Sequence, residues 1–156
     1  MRPYFYFSRD ILGAIGGTAK RLSPRAQEVL IRLMNDSDAV RGNALKDAKN
    51  LDNSEAASIF EELASRVKKD DDLTRKNSPL NLLVSWVAVR SELINEFLIM
   101  LQQLPETVLP FNILPKIKGL TKNTPSQTVA IALITKWSKS SANPQLQKAA
   151  VAALRS

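Results

Sequence analysis

Four times along this chain a polar residue is followed directly by proline at the head of an apolar stripe: Ser23-Pro24, Ser78-Pro79, Thr124-Pro125 and Asn143-Pro144. Proline is tolerated in the first turn of an α-helix, where its missing N–H would have no intrahelical partner. A Ser, Thr or Asn before it can accept a hydrogen bond from the open amides of that turn. The signature therefore reads as a helix start, and its recurrence commits the chain to a series of short helices. Behind each start the apolar residues have helical spacing. Val29, Leu30 and Leu33 come after the first, and Leu80, Leu83, Val84 and Val87 after the second, with Trp86 on the flank. Ala130, Leu133 and Trp137 come after the third, and Leu146, Ala149, Ala150 and Ala153 after the last.

Other segments start helices by different chemistry. Asp52 with Glu55 reads as a capping box, Asp standing in the Ser/Thr role, ahead of Ala56, Ile59, Phe60, Leu63 and Val67 on one face. Lys68-Lys69 closes that helix, where cations suit the negative end of the helix dipole. A shorter helix is expected around Ala44 to Lys49. From Ser91 to about Gln103 two seams run side by side, one of Leu93, Phe97, Met100 and Leu104, the other of Ile94, Leu98 and Leu101. So wide an apolar face predicts a central helix. Leu104-Pro105 stops it, because a residue before proline avoids the α region. Ile113, Ile117 and Leu120 form a further stripe. Pro115 is harmless only in a first turn, so this helix is expected to begin near Leu114. Thr124-Pro125-Ser126-Gln127 reads as a capping box with proline at the first helical position.

These elements predict an all-α fold, a compact bundle of about seven short helices. Asp70 to Asn77 is charged and polar, and the domain boundary is placed there. Residues 1–78 then form an N-terminal helical extension and residues 79–156 a helical bundle. At the start of the chain, Tyr4, Phe5, Tyr6 and Phe7 make an aromatic tetrad that is costly to leave in water and is expected to pack on the helical body or a partner. Gly13, Gly16 and Gly17 read as a flexible joint.

Composition narrows the chemistry by subtraction. With no Cys and no His in 156 residues, disulfides, thiolate and imidazole catalysis and the usual transition-metal sites are excluded. The carboxylate clusters read as solvated: Glu61-Glu62 on a polar helix face, Asp70-Asp71-Asp72 in a linker, Glu106 alone. Gly16-Gly17-Thr18-Ala19-Lys20 lacks the spacing of a phosphate loop. No enzyme, cofactor or metal site is expected. Apolar runs such as Ile131 to Ile134 are too short to span a bilayer, and Arg9-Asp10 interrupts any leader-like run, so no membrane partner is expected. A net charge of +7 predicts an anionic partner. The excess lies late in the chain: residues 1–78 hold 14 Lys/Arg against 12 Asp/Glu, residues 79–156 hold 8 against 3.

Leu101-Gln102-Gln103-Leu104-Pro105, then Ile113, Ile117 and Leu120, then Ala130, Leu133 and Trp137, together resemble the helical N-terminal (LW) domain of transcription elongation factor S-II, which elongin A and related nuclear elongation factors share. The resemblance covers about residues 79–140. Leu114 stands where the family often has Gly, Pro115 follows it, and Trp137-Ser138 replaces the usual Trp-Lys. The resemblance implies a nuclear, non-enzymatic protein-protein interaction scaffold in transcription elongation. Such a domain binds disordered segments of transcription or chromatin proteins, with a Phe or similar anchor among acidic residues.

That ligand needs an apolar slot between helices and cations beside it. Lys116, Lys118, Lys122 and Lys136 are the expected cations. Leu101, Leu104, Ile113, Ile117, Leu120, Ala130, Leu133 and Trp137 are the expected core, with Trp137 locking two helices together. Two alternatives stand beside this reading. Short, regularly punctuated helices suit a HEAT- or armadillo-like α-solenoid, although no period near about 40 residues aligns the halves. Charge alone suggests a basic nucleic-acid-binding module, weakly, since Lys and Arg do not cluster on one helix with exposed aromatics.

Overall fold

The computed structural model describes residues 22–75 and 77–156. The Tyr4–Phe7 tetrad, the glycine joint at residues 13–17 and the Gly16–Lys20 segment lie outside the described residues. Among the described residues are eight α-helices and no strand. They are α1 (Pro24–Leu33), α2 (Asp38–Asp47), α3 (Asn53–Lys69), α4 (Pro79–Val89), α5 (Ile94–Gln103), α6 (Ile113–Thr121), α7 (Gln127–Trp137) and α8 (Pro144–Arg155). Single 3-10 turns occur at Ala48–Asn50, Ser91–Leu93 and Glu106–Val108.

Most helix starts obey the expected chemistry. The side chains of Ser23, Ser78 and Asn143 accept hydrogen bonds from the amides of Ala26, Asn81 and Leu146, each with proline in the first turn. The capping box of α3 closes from both sides: Glu55 N–H donates to Asp52 Oδ1 at 2.7 Å, and Asp52 N–H to Glu55 Oε1 at 3.2 Å. Helix α2 begins well before the expected Ala44, because the Ser37 side chain accepts from the Val40 amide. Its apolar pattern is thin because Ala44 is its one buried residue. Pro115 falls third in α6, within the first turn, so the helix starts at Ile113.

The capping box expected at Thr124 is not formed. Helix α7 begins at Gln127, and Ser126, already helical in backbone, makes no capping bond. Thr124 Oγ1 donates instead to Thr121 O at 2.7 Å, and Ser126 Oγ to Asn95 Oδ1 at 2.7 Å. The cause is the turn itself. Asn123 takes φ 60°, a left-handed conformation that Asn tolerates, and it folds Thr124 back onto the end of α6.

Each helix packs chiefly on helices one or two places away along the chain. The pairs α1/α2, α3/α4 and α7/α8 form hairpins. Among odd-numbered helices α1 lies on α3 and α5 on α7, while the even-numbered helices form an unbroken row, α2 on α4, α4 on α6, α6 on α8. The odd-numbered helices α1, α3, α5 and α7 begin at Pro24, Asn53, Ile94 and Gln127, which are unequal steps, so no single period is visible in the sequence.

The packing crosses the segment 70–77, where the sequence pattern places its boundary. One cluster of buried side chains runs from Ala26 to Ala150. Trp86, expected on a flank, is fully buried, and its Nε1–H donates to Ala56 O of α3 at 3.1 Å. The flank of α4 is an outer face only if α4 is considered without α3. Arg90, buried at the end of α4, donates to Ala48 O at 3.0 Å, Leu51 O at 2.7 Å and Asn53 Oδ1 at 2.8 Å, with Glu92 meeting its charge. It thereby occupies open carbonyls between α2 and α3.

Candidate partner-binding surface

Leu101, Leu104, Ile113, Ile117, Ala130, Leu133 and Trp137 are all buried, while Leu120 is partly exposed at the edge of the core. The buried ones belong to the common core cluster, Leu120 packs against it, and the Trp137 ring, 1% exposed, is out of reach of a ligand.

Three of the four expected lysines lie on or beside α6, the third helix of the even row. Pro115, Gly119 and Lys122, spaced four and three apart, are exposed and form its outward ridge. Nothing lies within 4 Å of a Cβ built at Gly119. Lys116 and Lys118 flank this ridge on opposite sides. Lys116 Nζ donates to Asn81 Oδ1 on α4. Lys118 Nζ donates to Ala153 O at 2.9 Å and to Ser156 Oγ at the end of α8. It therefore covers carbonyls that the end of a helix leaves open, at the negative end of the dipole. The ammonium of Lys122 has no partner among the described residues. Lys136 belongs to α7, in the other row, and is exposed.

Helix pairing sorts the charge. α4, α6 and α8 carry no Asp or Glu, while Lys116, Lys118, Lys148 and Arg155 lie on α6 and α8. Among the odd-numbered helices, α1, α3 and α5 carry Glu28, Glu55, Glu61, Glu62 and Glu96, while α7 carries no Asp or Glu. The two carboxylates of α2 are taken up: Asp47 by Arg32 at 2.6 Å, Asp38 by Arg41. A count by halves shows the late excess of cations but not this separation, which needs the pairing of helices.

Two grooves that the sequence pattern does not reveal lie around the start of α4. A smaller one, about 190 Å³, is lined by Arg41 and Leu45 of α2 and by Asn81, Leu82 and Ser85 of α4. The bond from Lys116 to Asn81 sets that lysine beside it. A larger one, about 320 Å³, opens where the ends of α1 and α3 meet the start of α4. Leu33, Asn77 and Leu82 line both, so the grooves meet over the α4 N-terminus.

Among the carboxylates of the clusters, Glu62, Asp70 and Asp72 hold local structure. Glu62 pairs with Arg66 at 2.8 Å and Asp70 with Arg75 at 2.5 Å. Hydrogen bonds from the Thr74 hydroxyl and then the Thr74 amide hold the exposed Asp72 carboxyl below the usual carboxylate range. Among the described residues no three His, Cys, Asp or Glu are grouped to hold a metal ion, and no helix is long and apolar enough to cross a membrane. Compared with known proteins, the chain matches no family model, no curated protein and no solved structure.

Proposed function

We propose that this protein is a non-enzymatic interaction scaffold whose even-row surface holds disordered acidic segments bearing apolar anchors. The carrying observation is that three consecutive helices of one row, α4, α6 and α8, are free of carboxylates. Lys116 and Lys118 occupy the grooves on either side of α6, and Lys122 stands on its ridge. An acidic segment laid across α4, α6 and α8 meets ammonium groups and no Asp or Glu of those helices, which favours fast and selective association. The setting in nuclear transcription elongation rests on the resemblance of about residues 79–140 to the LW domain. The neighbour-to-neighbour packing also supports the α-solenoid reading, in which stacked hairpins offer an extended surface. The two readings share one surface.

A fluorescein-labelled peptide with one Phe flanked on both sides by Asp tests this reading, with a labelled single-stranded oligonucleotide as competitor. Anisotropy titrations across a salt series are expected to show peptide binding with a shallow salt slope. The variant Lys116→Glu/Lys122→Glu is expected to weaken it roughly tenfold. Lys118 is left intact because it caps α8. Tighter binding of the oligonucleotide with a steep salt slope, as counterion release demands, overturns the proposal. So does peptide binding that the charge reversal leaves unchanged.

A further inference from the structure

We infer that the groove at the meeting of α1, α3 and α4 seats the apolar anchor of the acidic segment. This deepens the functional reading above and rests on it for the class of partner. Leu33, Leu63 and Leu82, from three different helices, form the floor, and Met34, 43% exposed, forms a lip. A methionine lip is unbranched and polarizable and adapts to the shape of an incoming side chain. At about 320 Å³ the groove is at the small end of ligand pockets, which run roughly 300–1,000 Å³. It therefore suits one large side chain of a peptide.

The rim defines what flanks that side chain. Arg66, Lys69 and Arg75 surround the floor. Glu62 and Asp70 orient the two guanidinium groups from one side, while Lys69 has no carboxylate partner among the described residues. Asp70 is the one carboxylate in the lining. Its side chain is 8% exposed, and it already accepts from Arg75 and from the Asp72 amide at 3.0 Å, so it shows little charge to the groove. An apolar floor inside a cationic rim matches an apolar residue flanked by carboxylates. Continuity gives the path: over Leu33, Asn77 and Leu82 the groove joins the one beside Arg41 and Asn81, next to Lys116. A segment anchored here passes along α4 onto the basic row.

The test uses the same Phe/Asp peptide and the full chain with labelled leucine methyl groups. Saturable shifts are expected at the methyls of Leu33, Leu63 and Leu82. A peptide with Phe replaced by Ser is expected to lose them. Met34→Glu/Lys69→Glu, two exposed positions whose melt serves as the folding control, is expected to weaken binding roughly tenfold. If this variant binds normally while Lys116→Glu/Lys122→Glu does not, the groove assignment falls and the functional reading stands. If the unaltered protein does not bind the peptide, the functional reading fails and takes the groove with it.

Discussion

At the scale of the residue, the two tryptophans show what local pattern reveals. Trp137 ends a stripe with Ala130 and Leu133, and its burial is a consequence of that spacing. Trp86 sits off the Leu80–Leu83–Val87 line, yet it is as deeply buried, and its indole N–H reaches Ala56 on a helix 30 residues earlier. Trp86→Phe removes volume from a packed interior and withdraws a buried donor. The expected cost is about 1–3 kcal/mol, read from urea unfolding monitored by circular dichroism. An unchanged midpoint would contradict the burial and the hydrogen bond together. The lysines teach the complementary lesson: Lys118 and Lys122 look alike in sequence, but Lys118 is tied to Ala153 O and Ser156, and Lys122 stands free of partners among the described residues.

At the scale of the element, caps decide where helices begin, and most of that chemistry is confined to four or five residues. It fails at Thr124 because Asn123 adopts a left-handed turn that redirects the threonine. Two helices retain evident weak points. Gly42 lies inside α2 and Gly119 inside α6, and a Cβ at either would meet nothing within 4 Å. Glycine in a helix interior costs backbone entropy without any packing gain here. Gly42→Ala and Gly119→Ala are each expected to stabilise the protein by about 0.4–1 kcal/mol, seen as a higher denaturation midpoint at constant slope. Destabilisation at Gly119 would show that the α6 ridge is not open.

At the scale of the whole molecule, the prediction concerns the boundary. By sequence pattern residues 79–156 read as a bundle of their own, but α4 buries Trp86 against α3, and Arg90 satisfies carbonyls around the α2–α3 junction. Expressed alone, that half would expose the indole and leave a buried arginine without its acceptors. It is expected to show no cooperative thermal transition and little near-ultraviolet dichroism, whereas the full chain melts cooperatively. A sharp melt of the isolated half would show that its packing is self-sufficient.

The amino-acid order alone determined that the described residues are all-helical and where most helices start, because caps and the 3.6-residue stripe act within a turn or two of the chain. It also showed that positive charge gathers late. Only the tertiary structure decided which helices lie side by side, and hence that Trp86 is interior, that α4, α6 and α8, all free of carboxylates, lie in one row, and that Leu33, Leu63 and Leu82 share a groove. The physical reason is that pairing depends on contacts between segments far apart in sequence, for which no short pattern carries the address.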